Sequence, residues 1–363
     1  GSGTRAARAL NRNKRPAFDR RASHELYKAL FGDPKVREII DDREDWIIVP
    51  QGVLLSLPYN ALVTEPPTGD DTDPVALRNT YWLGIEKAVS VLPSLAMMRA
   101  RGNASARVAD ADGASFFGMG DPDFAGTGEV LVADASLSLR DAGSRAAGVR
   151  QLAALPATRG EVMSVAGLYG PERSTVLFGG EATEAHLMAA SRDGTLRKAS
   201  TLLFATHGLL SGTFDTLGEP ALALTPPPDG APMQEGEGWI GDGLLTASEA
   251  SRLDLDADWV ILSACDTAAA ADPDASGLTG LARSFFYAGA RSLLVSHWKV
   301  LDEVTARLTT STIKRLLAEP ELGRARAFRA AMAEIIADDS RDGSALAMSH
   351  PTVWAPFQVI GVE

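Results

Sequence analysis

Trp259-Val260-Ile261-Leu262 is apolar at four consecutive positions between Asp258 and Ser263, and the chain runs on through Ala264 to Cys265 and Asp266. A stretch that is apolar at every position, rather than every second one, needs cover on both faces. A strand of a parallel sheet receives that cover from helices packed on either side. Such sheets place their chemistry beyond the carboxyl ends of the strands, and Cys265, the one cysteine in 363 residues, stands there. Thr201-Leu202-Leu203-Phe204-Ala205-Thr206 is built the same way and exits into His207-Gly208. As parallel neighbours about 4.8 Å apart, the two strands would release a thiol and an imidazole side by side, a nucleophile and an acid/base. Each residue alone has a bland alternative, a buried inert thiol or a hydrogen-bonded structural histidine. Their coincidence at equivalent strand ends favours chemistry.

The rest of the chain repeats this alternation. Ser115–Gly120, Ser174–Phe178, Ser292–Ser296 and Phe357–Ile360 read as further strands. The spans 155–168, 183–190, 246–252, 277–288, 301–317 and 325–336 read as helices. Alternating strands and helices specify a doubly wound, mainly parallel α/β sheet flanked by helices. Upstream, His24–Ile40 reads as two short helices broken at Gly32-Asp33-Pro34, and Trp46–Leu57 as a hairpin turning at Gln51-Gly52. Ala88–Leu92 reads as one more strand. The Ala-, Asp- and Gly-rich stretch from Arg101 to Gly113 marks a boundary between a smaller amino-terminal lobe, 23–105, and a catalytic lobe, 106–363. The long connection 126–148, rich in small residues, is of a kind that is usually either functional or mobile.

Composition narrows the function. A formal net charge of -12 argues against a broad nucleic-acid surface. The exception is a basic arm from Arg5 to Arg21, able to touch nucleic acid or an acidic partner, or to serve as a linker. Residues 1–22 are read as that linker behind a Gly1-Ser2-Gly3 scar. No apolar run is long enough to span a bilayer and no apolar leader is present, so a soluble, cytoplasmic protein without membrane partners is expected. A single cysteine fits a reducing compartment. His24, His186, His207, His297 and His350 have no paired ligand spacing, so neither a metal nor another cofactor is expected. No internal repeat is visible.

LLFATHG, DGLLTASE, VILSACDTA, GLARSFFYAGARSLLVSHWKVLD and HPTVWAPFQVIG, in this order, together resemble the CHAT protease domain, a relative of caspases and separases. DWIIVPQGVLLSLPYNAL followed by AVSVLPS extends the likeness upstream, so that it covers about 26–361. The 58 residues from His207 to Cys265 are close to the roughly 50 separating the caspase pair. The resemblance implies a caspase-like sheet in the order 2-1-3-4-5-6 carrying a cysteine endopeptidase that cleaves a protein partner. Its histidine falls on His207, its nucleophile on Cys265, and its oxyanion hole on the backbone N–H groups of Gly208 and Cys265. Trp298-Lys299-Val300-Leu301-Asp302 resembles the separase segment whose acid lines the pocket for the residue before the cut. Asp302 then pairs with a substrate Arg or Lys, unless it simply caps the following helix. Asp266 and Trp298 are the other pocket candidates. His297 departs from the family pattern and is expected to narrow or recharge that pocket, while His350 is expected to order the last strand. CHAT domains usually sit behind repeats or sensor modules, so a regulatory sensor or repeat-bearing partner outside this chain is implied.

Two other readings stand beside this one. A catalytically silent, peptidase-like interaction module would bind without cutting. A nucleotide-binding protein would use the Gly118-Met119-Gly120 turn, which lacks the third glycine of a dinucleotide fingerprint and runs into Asp121.

Overall fold

Leu202 and Phe204 enter one core cluster and Leu203 and Ala205 another, the alternation of a strand buried on both faces. A computed structural model describes residues 17–94, 113–124, 142–211, 217–228, 235–236, 239–263, 277–298, 302–344 and 346–361. Helices α1 (Arg20–Phe31) and α2 (Pro34–Ile40) precede strand β1 (Asp45–Ile48). Helices α3 (Pro74–Arg78) and α4 (Leu83–Glu86) lead to β2 (Ala88–Val91) and β3 (Phe116–Pro122). Next come α5 (Ala142–Val149), α6 (Pro156–Tyr169), β4 (Ser174–Gly179), α7 (Glu184–Arg192), α8 (Thr195–Lys198) and β5 (Thr201–Ala205). Short strands β6 (Gly208–Leu209), β7 (Ala221–Ala223), β8 (Glu235–Gly236), β9 (Trp239–Ile240) and β10 (Leu244–Thr246) follow, then α9 (Ala247–Ala250) and β11 (Trp259–Leu262). The chain closes with α10 (Gly277–Ala288), β12 (Ser292–Ser296), α11 (Asp302–Ala318), α12 (Arg324–Ala337), α13 (Pro351–Trp354) and β13 (Phe357–Gly361).

Eight strands form one sheet in the order β1-β2-β13-β12-β11-β5-β3-β4, parallel except for the β12–β13 pair. The six strands from β3 onward run 2-1-3-4-5-6, the expected order. One face is covered by α7, α9 and α10 through Leu187, Ala250 and Phe285. The other is covered by α6, α11 and α12 through Val162, Leu308 and Phe328. β1 and β2 continue the same sheet, because β2 pairs with β13. Tyr27, Trp46, Tyr59 and Val89 form a smaller core at that end.

Local chemistry starts the helices where the residues direct. Asp33 caps Lys35 N at 2.8 Å ahead of Pro34, and Thr246 and Glu249 form a reciprocal capping box. The expected hairpin at 46–57 does not form. β1 pairs in parallel with β2 and Gly52–Ser56 is a 3₁₀ turn, so Gln51-Gly52 opens a crossover instead of closing a tight turn. Helix α1 begins inside the span read as linker. Arg20, counted with the basic arm, is 1% exposed and donates to Asp71, Thr80 and the carbonyls of Gly69 and Ala76. Residues 1–16 lie outside the described residues. Along the connections 126–148 and 212–241, 142–149 is helical and Glu235–Gly236 pairs antiparallel with Trp239–Ile240.

The Gly118-Met119-Gly120 sequence serves packing. A Cβ at Gly118 would lie 2.6 Å from Val162 Cγ1, and one at Gly120 would lie 2.9 Å from Val162 Cγ2. The two glycines let α6 press directly onto β3. Gly118→Ala, with the buried Val162 side chain and Phe116 ring in its way, is expected to destabilise the fold by about 1–3 kcal/mol, read as a lower urea midpoint at unchanged m-value.

Candidate active site

Parallel pairing of β5 with β11 sets Phe204 against Leu262. His207 lies three residues beyond Phe204, and in the sequence Cys265 follows Leu262 by the same three residues. Cys265 and Asp266 fall outside the described residues. His207 is described in full. Its ring is half-buried, and Phe124, itself buried, packs against it at 5.6 Å between centroids. Nε2 lies 2.7 Å from the carbonyl oxygen of Ala153. A carbonyl only accepts, so Nε2 carries the proton, and in the neutral ring Nδ1 holds the lone pair. The partner fixes tautomer and ring orientation together.

Ala153 is held in turn. Arg145 on α5 donates to Asp242 at 2.6 Å, and Arg150 donates to the Pro227 carbonyl at 2.7 Å, fastening the segment that leads into Ala153. Asp242 is 2% exposed, and burial pushes its carboxyl up to about 6 despite Arg145. Glu184 beside it is raised well above the usual carboxylate range, first by burial and then by Asp242, while accepting from Gly243 N at 2.6 Å. The chain bends at Asp242-Gly243, with Gly243 at φ +90°, and the Asp242 carboxylate anchors α5 there.

Gly208 opens β6, registered against Leu222, while Ala223 N–H donates to the His207 carbonyl at 2.9 Å. Antiparallel alternation turns the Gly208 N–H away from β7. On the other side of β11, Trp298 is half-buried and donates from Nε1 to the Thr352 carbonyl at 3.0 Å. That contact ties the exit of β12 to α13. Lys299, Val300 and Leu301 lie outside the described residues. Asp302 is the first residue of α11 rather than the residue preceding it, and its side chain lies outside the description.

His297 is 6% exposed, with Nε2 meeting no hydrogen-bond partner among the described residues. Burial lowers its pKa to about 4, so the ring is neutral at physiological pH and does not recharge a pocket. His350 caps α13, its Nδ1 accepting from Thr352 N at 3.2 Å, which orders the turn into β13. His186 is exposed beside Thr183. Among the described residues, no group of three or more His, Cys, Asp or Glu could hold a metal, and no helix is long and apolar enough to cross a membrane.

Sequence reasoning passed over three contributors, Ala153, Phe124 and Glu161. Glu161, on α6, is 3% exposed and accepts from Ser263 Oγ at 2.8 Å. Ala153 acts through its backbone and has no signature. The signal for Glu161 was the Gly118/Gly120 pair, which brings its helix down on the sheet.

The CHAT domain profile matches residues 20–362. The chain belongs to the CHAT family. No protein with a curated description matches this CHAT chain. Among solved structures, the Arg-specific cysteine proteinase gingipain R superposes with a TM-score of 0.48 at 11% identity, over 94% of this CHAT chain and 67% of its own. The CHAT domain here is built on the 2-1-3-4-5-6 sheet described above.

The buried His297 makes a pH prediction. Its pKa is near 4 folded and about 6.5 unfolded, so the unfolded chain takes up the proton first as pH falls. Stability present above pH 6.5 is therefore lost progressively toward pH 4, by about 3 kcal/mol from this group. Denaturant titrations from pH 7 to 4 should show His297→Phe losing less stability across that window than the parent.

Proposed function

We propose that this CHAT domain is a cysteine endopeptidase acting on a protein partner, with Cys265 as nucleophile and His207 as acid/base. The observation that carries the reading is the in-register β5–β11 pairing together with the Nε2–H bond from His207 to Ala153. An imidazole held in one tautomer, at the same step beyond the sheet as the only thiol, is built for proton transfer. The thiolate attacks the scissile carbonyl to form a tetrahedral intermediate, with the Gly208 and Cys265 N–H groups donating to its oxyanion. Collapse expels the amine, protonated by His207, and leaves a thioester that water hydrolyses with His207 as base. Asp302, Asp266 and Trp298 form the pocket for the residue before the cut, and the two carboxylates favour Arg or Lys there. The signal that releases cutting comes from a sensor or repeat-bearing partner outside this chain.

A fluorogenic peptide library varied at the residue before the cut, read with the parent, Cys265→Ala and His207→Ala side by side, tests this. Cleavage should fall by about 10³-fold or more in either variant, with Arg or Lys preferred and Asp302→Asn weakening that preference. Cleavage that persists in Cys265→Ala removes the nucleophile assignment. Retained partner binding without cleavage, in parent and variants alike, identifies a silent interaction module instead.

A further inference from the structure

Glu161 is a buried carboxylate whose partners include two hydroxyls on two other elements. Ser263 Oγ, on the residue after β11, donates to Oε2 at 2.8 Å, and Thr309 Oγ1, on α11, lies 3.4 Å from Oε1. Glu161 is 3% exposed and Thr309 0%. Removing a carboxylate from water costs several kcal/mol, and an apolar residue would suit a helix packed on a sheet better. The carboxylate stands at the meeting point of α6, α11 and the carboxyl end of the nucleophile strand.

Its place along α6 gives it meaning. Ser263 is two residues before Cys265, so no more than about 7 Å of extended chain separates the clamped residue from the thiol's residue. Ala153, the partner of His207, lies three residues before the first residue of the same helix. One rigid element therefore governs both halves of the dyad, reaching the base through Ala153 and the nucleophile's strand through Glu161. Its height is set by Val162 against Gly118 and Gly120, and Thr158 Oγ1 accepts from Asp121 N at 2.8 Å to fix it lengthwise.

We infer that Glu161 is a positioning residue, clamping Ser263 so that Cys265 leaves β11 in register with His207. The inference rests on the reading of Cys265 as nucleophile. Both hydroxyls can donate or accept, so glutamine at 161 can satisfy Ser263 and Thr309, whereas alanine satisfies neither.

The test compares Glu161→Ala, Glu161→Gln, Ser263→Ala and a packing control, Val165→Ala, a fully buried residue of the same helix. Two readouts are taken on the full chain: peptide cleavage, and the pH dependence of alkylation of the single cysteine by iodoacetamide. Misplacement by about 1 Å costs on the order of 100-fold, so Glu161→Ala should lose about that much in kcat with little change in KM. Glu161→Gln should stay within a few-fold of the parent. Ser263→Ala should follow Glu161→Ala, with the double variant no worse than either. The alkylation pH profile should move in Glu161→Ala and Ser263→Ala and stay put in Val165→Ala. An unchanged profile in Glu161→Ala, or an equal change in Val165→Ala, overturns the proposal. If the parent cuts no peptide, the peptidase reading loses support, yet the alkylation profiles still decide the role of Glu161.

Discussion

The parallel pairing of β5 with β11 is the constraint on which the rest depends. Both strands are buried on both faces, and their alternate residues feed opposite cores. A slip of one residue would send Phe204 and Leu262 into the wrong core and Leu203 and Ile261 into the other. The packing that stabilises the sheet thus sets the relative height of the two strand exits. In the sequence, residues 207 and 265 each follow this core packing by three and four residues.

Pressed on that sheet, α6 turns alignment into orientation. Two glycines of β3 bring the helix close enough for Val162 to fill the space a Cβ would occupy. The helix then presents Glu161 to the end of β11, while the segment before it presents the Ala153 carbonyl to His207. The other side of the site is held by α13, whose Thr352 carbonyl receives the Trp298 indole and whose following Pro356 carbonyl receives the His297 N–H at 2.9 Å. The His207 ring and the end of β11 are thus fastened through α6 and the segment leading into it, and the exit of β12 through α13.

Much of this was legible because burial writes itself into sequence. Trp259–Leu262 and Leu202–Ala205 are apolar throughout because both faces are covered, while the strand order was what the resemblance to the CHAT domain implied. What was misread depended on partners distant in the chain. Trp46–Ile48 looked like half of a hairpin because the next apolar run is adjacent, yet its partner is Ala88–Val91. Arg20 looked like part of a solvated basic arm because its acceptors, Asp71, Thr80 and two carbonyls, are scattered some fifty to sixty residues downstream. Gly118 and Gly120 resembled a phosphate turn because glycine marks any close approach of backbone, whether to a ligand or to a helix. His297 looked able to carry charge, and only its burial shows the ring to be neutral.

The kind of partner that orients His207 bears on which nucleophile it can serve. A carbonyl fixes the tautomer as well as a carboxylate does, but it contributes no full negative charge at Nε2 to an imidazolium formed during reaction. A serine hydroxyl, hard to ionise, needs that help from a buried aspartate. A thiol, with an unperturbed pKa near 8.5, already gives a small thiolate fraction at neutral pH and is intrinsically more nucleophilic. Under the proposed function, an imidazole steered by the neutral carbonyl of Ala153 therefore suits cysteine chemistry better than serine chemistry. By the same reasoning Cys265→Ser should be nearly as inactive as Cys265→Ala, because the histidine is oriented for a proton that a thiol gives up readily and a hydroxyl does not.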